Sequence, residues 1–191
     1  LLFMTGMRIG EATALTWKDV NLDGRYLTVK NSLYYKNAQT YELVSPKTRA
    51  SIRTIYLDED TVHYLRDWKK RQDDVGGIEF VLSYNSVPTQ KHTVRHIIKR
   101  HAKLAGVHDI RIHALRHSHA SLLISMGTNA LLIKERLGHE DVQTTLGTYG
   151  HLYPSSSTEI ANELKGIVNV EFINQNMASE VTNQFTKGVK K

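Results

Sequence analysis

One block of β-type sequence interrupts a chain whose periodicity is otherwise helical, and this order limits the fold more than any other feature. Residues 25–32 (RYLTVKNS), 40–44 (TYELV) and 51–57 (SIRTIYL) alternate or are rich in Tyr, Thr, Val and Ile, with polar connections such as SPKTRA between them. The block is expected to form a small antiparallel sheet. Ahead of it, residues 1–17 space Leu, Ile and Ala helically until DVNLDGRY, which holds the turn signal Asp23-Gly24. Behind it, helical spacing returns at 58–72, 91–105, 112–126 and 129–137, the last two stopping at Gly127 and Gly138. EFVLSY (79–84) reads as a short strand, and Ser156 with Glu159 makes a capping-box pattern before a last helix. Strands gathered in one place among helices give an α+β fold, mainly helical with a small antiparallel sheet.

A chain of 191 residues, 40% apolar and 23% charged, is ordinary for one globular domain. Residues 1–167 are expected to be that domain, and 168–191, polar and ending in KGVKK, a C-terminal tail. The chain opens without Met inside an apolar run, so an N-terminal part is expected to precede it. It has no cysteine, which excludes disulfides and thiolate metal sites, and no run of eighteen apolar residues or charged leader. The expected compartment is the cytoplasm, with no membrane involvement.

The formal charge of +6 is unevenly placed. Lys91, Arg95, Lys99, Arg100, Lys103, Arg111 and Arg116 lie between Gln90 and His119 against one acid, Asp109, together with seven of the ten histidines. Such a block is either a solvated helix face or a surface complementary to phosphates, and composition does not choose.

Four places can carry chemistry. In TGMRIGEA, Arg8 and Glu11 are three apart and so neighbours on a helix, where an ordinary exposed pair is the plainer reading. Lys47 sits in the turn SPKTRAS between two expected strands, where most lysines are merely solvated. HALRHSHA sets His113 and Arg116 on one helix face about 5–6 Å apart at Cβ, an imidazole beside a fork-shaped cation able to hold one phosphate. His113 and His117 are also at the i,i+4 spacing of metal ligands, but the glutamate of HExxH is absent. Finally, LGHEDVQTTLGTYGHL displays His139 after the Gly138 stop and sets Tyr149 between Gly147 and Gly150, a context for a side chain presented rather than buried. A tyrosine nucleophile needs help from neighbouring His and Arg, because its phenol titrates near 10.

Taken in order, Arg8, Lys47, His113, Arg116, His139 and Tyr149 resemble the catalytic set of the tyrosine recombinases, the phage-integrase family. The words TGMRIGEATALTW, PKTRASIR, HALRHSHAS and LGHEDVQTTLGTYGHL carry the likeness, over about residues 1–154. The resemblance implies a DNA strand transferase that cuts at attachment sites in double-stranded DNA through a 3′-phosphotyrosine. Arg8 and Arg116 would clamp the scissile phosphate, Tyr149 attack it, Lys47 protonate the leaving 5′-oxygen, His113 serve as general base and acid, His139 bond the phosphate and Glu11 support the site. Lys91, Arg95, Lys99, Arg100, Lys103 and Arg111 would contact DNA. No cofactor or metal is implied. The partners implied are a homo-tetramer on DNA, monomeric in isolation, and accessory DNA-bending or directionality factors. The alternatives are a type IB topoisomerase and a helix-turn-helix regulator, the latter needing neither Arg8, Lys47 nor Tyr149.

Overall fold

The computed structural model describes residues 1–37, 40–46, 48–84, 86–153 and 157–167. The opening apolar run is two short helices rather than one. α1 (Leu2–Thr5) ends at Gly6, whose φ of 65° is left-handed, and α2 (Ile9–Ala14) starts from Arg8 as its cap. Only glycine suits position 6, since a Cβ there would also lie 2.6 Å from the His119 ring and 2.7 Å from Leu137.

Strands β1 (Val20–Asn21), β2 (Tyr26–Val29), β3 (Ser32–Tyr35), β4 (Tyr41–Val44) and β5 (Arg53–Tyr56) follow. The single sheet expected from sequence is instead divided. β1, β2 and β5 form an antiparallel sheet in that order, with Leu27 opposite Ile55 and Val29 opposite Arg53, while β3 and β4 pair as a separate hairpin. Residues 25–32, read as one strand, split between the two because alternation marks a strand without naming its partner. Of residues 79–84 only β6 (Ser83–Tyr84) is strand, paired with β7 (Val87–Pro88). Phe80 and Val81 are held differently, by a bridge from Thr16 to Phe80 and a hydrogen bond from the Val81 amide to the Leu15 carbonyl.

The helices behind the sheet obey their caps. α3 (Glu59–Val75) starts where the Asp58 side chain accepts from the Thr61 amide at 2.9 Å. α4 (Lys91–Leu104) and α5 (Ile112–Ser125) follow, then α6 (Ala130–Leu137), capped by Asn129 and ended by the left-handed Gly138, and α7 (Val142–Tyr149), capped by Asp141. Two apolar cores result. Leu27, Val29 and Ile55 of the sheet pack with Ala12, Leu15, Val62 and Leu65, and Ala120, Ile124, Ile133 and Leu137 join α5 to α6. Burying a side chain such as Leu27 or Ile133 contributes about 1.5–3 kcal/mol.

Leu1–Tyr153 make one compact unit and Pro154–Lys191 another, in which α8 (Ser157–Leu164) is the described element. The expected Ser156–Glu159 capping contact and the tail at 168–191 lie outside the described residues. Among the described residues no helix is long and apolar enough to cross a membrane.

Candidate active site

The site is organised by the C-terminal end of α6. A helix leaves its last carbonyls without partners and with partial negative charge, so cations collect there. Here each of three successive carbonyls faces a different arginine. Arg53 Nε donates to Arg136 O at 2.7 Å, Arg116 Nη2 to Leu137 O at 2.8 Å, and Arg8 Nη2 to Gly138 O at a marginal 3.5 Å. Arg116 also donates to Gly6 O at 2.7 Å, which fixes its guanidinium between α1 and α6. The chain turns at Gly138 with φ 69°, and a Cβ there would meet Arg53 Nη1 at 2.8 Å.

Glu11 holds two of these cations. Its Oε1 accepts from Arg8 Nη1 at 2.8 Å and its Oε2 from Arg53 Nη2 at 2.9 Å and from the Arg8 amide at 2.9 Å. Arg8 and Glu11 therefore meet as cap and third residue of α2, not as two residues within one helix. Glu11 is only 4% exposed. Burial pushes its pKa up, but the hydrogen bonds and charge of Arg53, with those of Arg8, outweigh this and leave the carboxyl below its ordinary value. Burial, and then the charge of Arg8, lower Arg116 to about 10, so it stays a cation at neutral pH.

His139 follows Gly138. Its Nδ1 is 2.8 Å from Thr145 Oγ1, and Thr145 is fully buried in α7, so α7 sets the ring's orientation. Burial, and the charges of Arg116, Arg8 and Arg53, lower its pKa to about 4. It is therefore a neutral hydrogen-bonding ring. Arg8, Glu11 and His139 line a cleft of about 480 Å³ whose wall also includes Pro46 and Thr48. Lys47 itself lies outside the described residues, but both its chain neighbours face this cleft.

Tyr149 corrects the sequence reading. It is the last residue of α7, 4% exposed, and belongs to the core of Ile133 and Leu137. Gly150 is helical at φ −56°, ψ −33°, so the flanking glycines do not hold the tyrosine out in a loop. Its phenol oxygen is 2.7 Å from His117 Nδ1. Burial raises its pKa, partly offset by Arg116. His113 is exposed, and its ring meets the His117 ring edge-on at 4.8 Å between centroids. Burial of the imidazole, then His117, Arg116, Arg8 and Lys91, lower its pKa. The histidine that touches the tyrosine is thus one turn beyond the one expected to. No cluster of three or more His, Asp or Glu placed to hold a metal occurs among the described residues.

The basic face is smaller than the residue count suggested. Lys91, Lys99, Arg100, Lys103 and Arg111 are exposed, but Arg95 makes a two-pronged pair with Asp109 at 2.6 and 2.5 Å, and Arg116 is buried. Arg95 therefore adds no net charge to that surface. Sequence reasoning also missed Arg53. Its signal was the alternation of SIRTIYL, which puts Arg53 on the same strand face as Ile55 and hence inside.

Residues 1–156 match the model of the phage integrase family. The chain belongs to this family. It is 36% identical over 174 residues to the ICEBs1 integrase of Bacillus subtilis, covering 87% of this chain and 47% of that protein. It is 32% identical over 170 residues to transposase A from transposon Tn554 of Staphylococcus aureus, covering 85% and 44%. Its fold is that of the Tn1549 transposon integrase solved in complex with circular intermediate DNA, with a TM-score of 0.69 at 23% identity over 85% of this chain and 56% of that one. The chain spans about half the length of the curated relatives it matches.

Proposed function

We propose that this chain is the DNA-cutting part of an integrase that breaks and rejoins attachment sites in double-stranded DNA, integrating or excising a mobile element. The observation that carries the reading is the anchoring of Arg8, Arg53 and Arg116, from three separate segments, at the carbonyl end of α6 beside His139. Such an array is preorganised for an anion, since two of the three guanidiniums are locked by buried partners before any ligand arrives.

In the proposed reaction Arg8 and Arg116 bind the non-bridging oxygens of the scissile phosphate and stabilise the charge that grows on them in the pentacoordinate transition state. Tyr149 attacks phosphorus as a histidine of α5 takes its proton, and Lys47 protonates the departing 5′-oxygen. His139, neutral, donates a hydrogen bond to the phosphate. The 3′-phosphotyrosine conserves the bond energy, so a 5′-hydroxyl of a partner strand reverses the step and completes exchange. Charge stabilisation and proton transfer come from side chains, without a metal or nucleotide cofactor. Lys91, Lys99, Arg100, Lys103 and Arg111 hold the DNA backbone. The full protein works as a homo-tetramer on DNA, monomeric alone, at the nucleoid and with accessory bending or directionality factors.

Incubating the chain with nicked duplexes tests this. Tyr149→Phe should abolish the covalent protein–DNA complex while leaving salt-sensitive DNA binding intact, and Tyr153→Phe should leave both. Binding by the wild type with no covalent complex under any of these conditions would favour a non-catalytic DNA-binding protein.

A further inference from the structure

We infer that His117 is the base that takes the phenol proton from Tyr149, and that His113 acts only through it. The inference rests on the recombinase reading above and deepens it. His117 is the side chain that touches the reacting oxygen, at 2.7 Å, with the two rings 5.6 Å apart at their centroids. With its proton on Nε2, its Nδ1 accepts from the phenol O–H, the arrangement general-base catalysis requires. Helix α5 supplies His117 one turn after His113, and α7 delivers Tyr149 to it from its last residue.

The rest of the site leaves this task to His117. Tyr149 is almost wholly enclosed, and an enclosed phenol loses a proton only to a group already in contact with it. His139 is engaged with Thr145. Its low pKa makes it a poor proton acceptor. His113 meets the edge of His117, so it can orient that ring and face the imidazolium once formed. The titratable or charged groups set against His117 are Tyr149 from α7, His113 on its own helix, and Arg116, whose charge reaches both.

The step balances. The O–H bond of Tyr149 breaks as its oxygen bonds phosphorus, and the proton passes to His117 Nδ1. The bond from phosphorus to the 5′-oxygen breaks, and that oxygen keeps the electron pair and takes a proton from Lys47. In the return step the 5′-hydroxyl returns a proton to Lys47, and the departing phenolate recovers its own from His117.

The test begins with a pool of nicked duplexes randomised around the nick, from which covalent complexes of the wild-type chain are captured under denaturing conditions. One captured sequence then serves for all variants. His117→Ala is expected to form the complex roughly 10²–10⁴ times more slowly at unchanged DNA affinity. Added imidazole should restore much of the rate, and the acidic limb of the pH–rate profile should disappear. His117→Asn, which keeps an acceptor for the phenol near the position of Nδ1, should be as slow, because it cannot hold the proton. His113→Ala should lose less and keep the acidic limb. Wild-type rates and profile in both His117 variants, or imidazole rescue of His113→Ala instead of His117→Ala, would overturn the inference alone. No complex with the wild type would overturn the recombinase reading, and the inference with it.

Discussion

Arg116 and Lys47 carry opposite tasks in the proposed reaction, and chemistry at a single atom separates them. Arg116 is buried and pinned by Gly6 and Leu137, and its proposed task is to stabilise charge on non-bridging oxygens. Lys47 gives its proton to the bridging 5′-oxygen, an alkoxide leaving group that departs badly at neutral pH. Lys47→Ala is expected to slow cleavage of ordinary DNA by roughly 10²–10⁴. Replacing the bridging oxygen with sulfur gives a thiol-like leaving group with a pKa of about 8.5 that hardly needs the proton. On that substrate Lys47→Ala should recover and Arg116→Ala should not. Single-turnover cleavage of both substrates decides it, and equal recovery of the two variants would remove Lys47 from the acid role.

At the scale of elements, the carbonyl end of α6 is the structural centre of the site. A second set of contacts holds the same helix from its flank. Arg136 donates to Tyr56 O at 3.2 Å, to Met4 O at 3.0 Å and to His119 Nε2 at 3.0 Å, so α6, β5, α1 and α5 meet at one guanidinium. His119 must be neutral to accept that bond. Burial, then the charge of Arg136, lower its pKa from 6.5 to about 4. A lowered histidine pKa means that the unfolded chain binds the proton first. The stability due to neutral His119 is fully present above about pH 6.5 and is lost as pH falls from there towards 4. The loss at pH 5 is on the order of 1–2 kcal/mol. His119→Gln, which can still accept from Arg136 but does not titrate, should show a smaller difference between urea unfolding free energies at pH 7 and pH 5. An unchanged difference would place the acid sensitivity elsewhere.

For the whole molecule, what was legible in the sequence was what local chemistry decides. The helices from α3 to α6 were readable because amphipathic spacing, Asp and Asn caps and left-handed glycines are all local signals. Membership of the family was readable because its words stand intact in the chain. Partner choice was not readable, so one expected sheet became a three-stranded sheet and a separate hairpin. Depth was not readable either. Tyr149 between two glycines read as a displayed side chain, yet helix α7 runs through Gly147 and carries the tyrosine into the core on its last residue. Arg53 went unnoticed because its partner Glu11 is 42 residues away, and Arg95 was counted as a free cation because local spacing did not reveal its pairing with Asp109.

The central claim is that this molecule joins itself to DNA through one tyrosine, and identifying the joined residue tests it most directly. The wild-type complex with a nicked duplex should be digested with protease and nuclease, and the nucleotide-bearing peptide sequenced by mass spectrometry. The expected result is a nucleotide linked through its 3′-phosphate to Tyr149, with the released strand ending in a 5′-hydroxyl that a polynucleotide kinase can label. A nucleotide on Tyr153 or any other residue, or a linkage through a 5′-phosphate, would contradict it.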